Sequence, residues 1–392
     1  MKADVEWLAD PAREGRGAGS PGLEAAARYI AERFERLGLA PLTPGARGAD
    51  RFFQPFTMKG ENGEPLSARN VIAVLPGANP ALNGQALVIS AHYDHLGYGW
   101  PDVRANAKGQ LHPGADDNAS GVAVMLELAR LMANARPDRS IIIAAFAGEE
   151  AGLLGARHYV SAAQAPGAAF PLSGHIADLN LDTVGRLEDG KITVFGTGSA
   201  RELPFIFLGA GAVTGLPVQS VAQESNSSDH TAFVEAGVPA VQMFASIASD
   251  YHRPSDTADK IDYAGMAKVA AVLKEAVDYL AARPEPLNVQ GPAPGAQPRP
   301  SPSAPRRAST GIVPDMTFQG EGVRVASVQP GSGAENAGIK TGDRLLVLAS
   351  VKTPNLRALA DALRDLQPGQ IVDVEFLRDA TIMSSKLRLG ER

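Results

Sequence analysis

Between Pro284 and Pro305, eight of 22 residues are proline, with Gly, Ala, Ser and Gln among them and almost no large apolar side chain. Such a segment cannot bury a core and predicts an extended, semi-rigid tether. One continuous fold through all 392 residues is thereby excluded. The expected organisation is a large domain over residues 1–283, a linker over 284–307 and a small domain over 308–392. Hydrophobic residues make up 44% of the chain and charged residues 20%, enough apolar material for a real core on either side. No tandem repeat at solenoid periods is visible.

Before the linker, strand-like and helix-like segments alternate. Ala27, Ile30, Phe34 and Leu37 recur at helical spacing, and Gly38 follows as a stop. Asn70–Leu75, Ala86–Ala91, Ser140–Phe146, His175–Leu181 and Val241–Phe244 read as buried strands. Val122, Met125, Leu128 and Met132 line a helix face, and Met266 to Leu280 predicts a long closing helix. This alternation implies an α/β layered domain with a largely parallel sheet. After the linker, Val323–Val328, Leu345–Leu348, Ile371–Leu377 and Ile382–Leu387 predict strands, and Leu356 to Leu366 an amphipathic helix. That is a small β-rich barrel.

Several function classes drop out. The net charge is −6, which argues against a general nucleic-acid or anionic-membrane binder. Cysteine is absent, so thiolate catalysis and Cys-ligated metals are excluded, and any metal must use His and carboxylates. The longest apolar run, Ile141 to Ala147, is only strand length, so no transmembrane segment is expected. Met1 to Pro11 has Lys2 but no apolar segment after it, so no signal peptide is read there; a mature N-terminus would look the same.

The chemistry-bearing residues gather at predicted strand ends. His92-Tyr93-Asp94-His95 follows one strand, Glu149-Glu150 another, Asp182 a third and Tyr251-His252 a fourth. Asp116-Asp117-Asn118 opens a helix. In open α/β sheets, ligands bind outside the carboxyl ends of strands. Each signal alone has a bland reading. A lone His at a strand end is usually structural, a Glu pair usually a solvated helix start, and Asp-Asp-Asn often a turn and cap. Together they suit a pair of divalent cations held by imidazole and carboxylate. Three carboxylates and one hydroxide balance two such ions, which favours ionising a shared water.

The motifs Ser90-Ala91-His92-Tyr93-Asp94, Pro113 to Gly121, Ala147-Gly148-Glu149-Glu150-Ala151-Gly152-Leu153, Leu179-Asn180-Leu181-Asp182 and Tyr251 to Asp256 resemble, in order and spacing, the M28 family of di-zinc metallopeptidases. The resemblance covers roughly residues 4–283, including Glu14-Gly15-Arg16. It implies a zinc-exopeptidase-like three-layer domain with a mixed, largely parallel sheet. It also implies two Zn²⁺ per chain, with Co²⁺ or Mn²⁺ fitting the same donors. His92 and Asp182 would hold one ion, Glu150 and His252 the other, and Asp117 would bridge them through a turn with a cis Asp117–Asn118 peptide. Glu149 would act as general base and then acid on a metal-bridging hydroxide, and Tyr251 would steady the oxyanion. Asp94 and Asp256 would fix the ligand imidazoles from behind. The loop Gly97–His112 would shape the pocket rim. His95 and His230 would belong to the pocket or its packing; His158, on a helix, and His112 and His175 have no argument for chemistry. The family's secreted and periplasmic members suggest that location.

The C-terminal stretch resembles a PDZ domain of the bacterial protease-associated type, through Gly322-Val323-Arg324-Val325, Val328 to Ala334, Ala337-Gly338-Ile339 and Thr341-Gly342-Asp343. The resemblance implies capture of a C-terminal peptide at Thr310-Gly311-Ile312, in a groove between Ile312–Met316 and the helix Asn355–Leu366. The M28 resemblance points to removal of N-terminal residues from peptides with a free amino end. Two other readings stay open: a carboxypeptidase or other amidohydrolase activity on the same di-metal site, and a non-catalytic peptide-binding protein working through its PDZ domain.

Overall fold

In the computed structural model, the Ile-rich run forms the strand Ser140–Phe146. Successive side chains leave a strand on opposite faces. Ile141, Ile143 and Ala145 enter one core, and Ile142, Ala144 and Phe146 enter another. Burial on both faces is why the run is apolar throughout and not alternating. The residues described are 1–42, 48–101, 103, 107–187, 190–225, 227–246, 250–290, 307–315, 318 and 320–391. Most of the expected linker (291–306), residues 102 and 104–106 of the rim loop, and Met316 of the expected groove lie outside them.

The sheet runs in the order Ala40–Pro41, Pro65–Leu75, Ser140–Phe146, Ala86–His92, His175–Leu181, Ala240–Phe244, Ile192–Phe195, Val218–Val221, with Phe53–Lys59 a second antiparallel partner of Pro65–Leu75. The four strands from Ser140–Phe146 to Ala240–Phe244 are mutually parallel. Antiparallel pairing flanks them on both sides, so the sheet is mixed with a parallel centre. The helices Pro21–Arg36, Gly121–Met132, Leu203–Thr214 and Tyr263–Ala282 pack on one face. Leu154–Gln164 and His230–Glu235 cover the other. Three layers result. The helix Pro21–Arg36 starts where Ser20 accepts a hydrogen bond from the Leu23 amide and Pro21 takes the first position.

Packing of this unit continues past Pro284, because Leu287 is buried and Val289 bridges to Ala200. The second unit is a separate body with its own core, which includes Val323, Val325, Leu345, Leu363, Phe376 and Leu387. Its sheet runs Ile312–Pro314, Val323–Val328, Arg344–Leu348, Ile371–Arg378, Thr381–Arg388, and the helix Leu356–Arg364 belongs to the same body. The helix stops two residues before Leu366, with Asp365 as its C-cap.

Candidate metal centre

Three neighbouring parallel strands end at the same edge of the sheet. Ala86–His92 ends on His92, Glu149 and Glu150 follow Ser140–Phe146, and Asp182 follows His175–Leu181. His252 lies beyond Ala240–Phe244 and is held at φ 55°. Asp117 sits in the turn Ala115–Ser120, whose Asp117–Asn118 peptide is cis. Gly114 enters that turn at φ 62°, and a Cβ there would lie 2.3 Å from the Asp117 carbonyl oxygen. Only glycine fits that position.

The donor atoms converge. His92 Nε2 is 3.3 Å from Asp117 Oδ1 and 3.5 Å from Asp182 Oδ1. His252 Nε2 is 3.1 Å from Asp117 Oδ2 and 3.4 Å from Glu150 Oε2. Ligands about 2.0–2.1 Å from a tetrahedral zinc are about 3.3 Å from one another, and each imidazole stands at about that spacing from its two carboxylates. Asp117 gives one oxygen to each. His95, Asp117 and Glu150 also offer donors within 4.8 Å of one another. His95 Nδ1, however, is 2.8 Å from Glu150 Oε1, closer than two ligands of one ion sit and typical of a hydrogen bond. His95 therefore donates to Glu150 and turns its Oε2 toward His252.

Supporting groups hold these donors. The ring Nδ1 of His92 meets the backbone carbonyl of Asp94 at 3.2 Å, while the Asp94 carboxylate is 3.8 Å away. That carboxylate instead accepts from the Glu149 amide at 3.2 Å. The sequence expectation thus needs correcting: Asp94 orients His92 through its main chain and the Glu149 segment through its side chain. Asp256 accepts from the amides of Asp116 and Asp117 at 3.0–3.1 Å, which anchors the bridging turn. Gln242 and Thr183 donate to the two oxygens of Asp182.

Negative charge crowds this buried space. Burial alone would lower the His92 pKa, but Glu149 and hydrogen bonds to Asp117 and Asp182 raise it well above the usual imidazole value. Burial alone would raise Asp117, but the charge of His95 and hydrogen bonds from His252 and His92 hold it well below the carboxylate range. Burial pushes Glu149 well up, and Asp94 to about 6. A donor set of imidazole and carboxylate, with each imidazole at ligand spacing from its carboxylates and short of positive charge, fits zinc.

Tyr251 stacks on His252 with ring centroids 3.9 Å apart and is 37% exposed, at the open side of the cluster. His230 opens the helix His230–Glu235, is fully buried and pairs with Glu224. Two further residues support the site without having a role in the sequence reading. Arg16 is buried and donates to the carbonyls of Leu8, Tyr93, Pro113 and Gly114, joining the His92 and Asp117 segments. Arg186 lies 3.0 Å from Asp250, 3.6 Å from Asp256 and 3.8 Å from Asp116.

Residues 70–277, more than half of the chain, match the profile of peptidase family M28, and residues 300–389 match the PDZ domain. Aminopeptidase YwaD of Bacillus subtilis is 27% identical over 248 residues, which are 57% of this chain and 50% of that relative. A probable zinc metalloprotease of Pyrenophora teres f. teres is 39% identical over 128 residues, 32% of this chain and 25% of its own length. The chain thus spans half or less of these relatives. An aminopeptidase structure from Aneurinibacillus sp. strain AM-1 superposes with a TM-score of 0.56 at 21% identity, covering 74% of this chain and 95% of that one. The zinc aminopeptidase BSAP of Bacillus subtilis gives 0.56 at 20% identity, covering 73% and 97%. At those identities the likeness is one of fold.

Proposed function

The chain belongs to peptidase family M28, and we propose that it is a two-zinc exopeptidase removing N-terminal residues from peptides. The observation that carries this reading is the pair of imidazoles, His92 and His252, each at ligand spacing from two carboxylates and both sharing Asp117. His92, Asp117 and Asp182 would hold one zinc, and Asp117, Glu150 and His252 the other. The chemistry that two zinc ions would supply there is an acidified water and a polarised scissile carbonyl. Glu149, beside ligand Glu150 and with its proton affinity raised by burial, takes up the water's proton and passes it to the leaving amine. Tyr251, on the exposed side of His252, donates to the oxyanion. The names of YwaD and of the superposed aminopeptidases support the choice of the amino end.

The test is hydrolysis of a free-amino dipeptide against its N-acetylated form. The free form should be cleaved, the acetylated form should not, and chelator should abolish turnover. Equal cleavage of both, or release of the C-terminal residue from a blocked peptide, would favour the amidohydrolase or carboxypeptidase reading. Glu149→Gln should keep its metal and lose roughly 10²–10⁴-fold in rate; full activity in that variant overturns the proton route.

In the second unit, we read Thr310-Gly311-Ile312 as a carboxylate-binding loop. Gly311 has φ 84°, and a Cβ there would lie 2.2 Å from Ser332 Cβ. The PDZ match supports capture of peptide C-termini there.

A further inference from the structure

We infer that the C-terminal unit reads only the very end of a polypeptide, its carboxylate and last residues, because Pro314 removes a donor from the strand edge that would grip anything longer. The inference rests on the reading of that unit as a peptide-capturing domain.

Ile312–Pro314 is the end strand of its sheet among the described residues. It pairs antiparallel with Val323–Val328, Ile312 opposite Val328, Val313 opposite Ser327 and, past a register shift that leaves Ala326 as an extra residue on the partner strand, Pro314 opposite Val325, so the alternation along Ile312–Pro314 itself is kept. The Gln329 amide donates to the Gly311 carbonyl at 2.8 Å, and the Asp315 amide to the Arg324 carbonyl at 2.8 Å. In an antiparallel ladder, residues alternate between bonding the partner strand and facing away. Gly311, Val313 and Asp315 therefore face inward, and Ile312 and Pro314 present their main chain to the open edge. Proline has no N–H. Among the described residues the edge thus offers one donor, on Ile312, and two acceptors, on Ile312 and Pro314.

A peptide adding as an antiparallel strand would meet this edge unevenly. Its carboxylate accepts from the Ile312 amide, and its last N–H donates to the Ile312 carbonyl. Two residues further back, its N–H can reach the Pro314 carbonyl, but its own carbonyl finds no donor. A bond made beside a stripped, unpaired carbonyl adds little net. At the other end the loop is ready for an anion. The Gly311 amide donates to Ser309 Oγ at 3.1 Å and the Ile312 amide to Thr310 Oγ1 at 3.4 Å. A carboxylate is a stronger acceptor than these hydroxyls and displaces them. The partner that fits is a free chain end, with little demand on the sequence upstream.

The test uses the full chain carrying Glu149→Gln, so that peptides are not consumed. N-acetylated hexapeptides covering the twenty C-terminal residues are titrated, and the tightest is shortened to five, four and three residues. Affinities of the wild-type strand should agree within about threefold across these lengths, and a C-terminal amide should not bind. Pro314→Val restores the missing donor and should tighten the hexapeptide roughly 2- to 10-fold, with Pro314→Ala as a second variant if the first melts early. A tenfold or greater gain with length in the wild type overturns the inference alone. So does unchanged hexapeptide affinity in a folded Pro314 variant, or binding seen only in that variant. Absence of binding to any peptide by every form, or equal binding of the amides, overturns the peptide-capture reading itself.

Discussion

Asp94 is buried and charged only at a cost. Burial lifts its pKa from 3.8 to about 6, so the folded protein favours its neutral form. Stability from that group is whole below the unfolded pKa and is lost as pH rises through the folded one. A rise of that size corresponds to about 3 kcal/mol. In chelator-treated protein, Asp94→Asn should therefore match wild type at pH 4 and be more stable by up to about 3 kcal/mol at pH 8, read by urea titration at both values. The same variant should weaken zinc about 10- to 100-fold, because Asp94 also steadies the Glu149 segment. Equal stabilisation at pH 4 would show that the effect is not ionisation. Among single residues, Asp117 stood out in the sequence only through the M28 resemblance, since an Asp-Asp-Asn turn before a helix reads by itself as a cap. Arg16 and Arg186 were not legible, since an arginine in sequence carries no sign of which carbonyls or carboxylates will surround it.

At the scale of elements, Arg186 joins the turn that carries Asp117 to the segment Asp250–Asp256 that carries Tyr251 and His252. Removing a buried cation leaves its carboxylates uncompensated, at about 3–5 kcal/mol. Arg186→Met should lower stability by that order and also weaken zinc; a denaturant titration with zinc affinity measured alongside checks both. Stability loss with unchanged zinc affinity would confine Arg186 to the fold. In the sheet, Ile142→Ala should cost about 2–5 kcal/mol, since Ile142 is fully buried in the core that covers the second face. The same Ile-rich composition made Ser140–Phe146 readable to the residue. Other elements escaped for physical reasons. Phe53–Lys59 carries Pro55, tolerable because among the described residues that strand pairs on one side only. Ile192–Phe195 and Val218–Val221 are four residues each, too short to show a period. Leu203–Thr214 has no charged residue and no polar stripe to mark a helix face, and Phe205 and Val213 on it are exposed.

For the whole molecule, composition marked the break between two bodies, and the three buried clusters keep to their own body. Every donor of the candidate metal centre lies in the first. Residues 1–290 alone should therefore keep zinc and small-peptide hydrolysis at the level of the full chain. In calorimetry of the full chain, added zinc should raise the melting temperature of one transition only. A truncated chain that folds but neither binds zinc nor cleaves would show that the second body completes the site. Asp117 as a ligand shared by two ions is the central claim, and counting metal tests it most directly. After zinc loading and exhaustive dialysis, elemental analysis should find two zinc ions per wild-type chain and a loss at both sites in Asp117→Ala. Two ions retained in that variant, or none in the wild type, would contradict it.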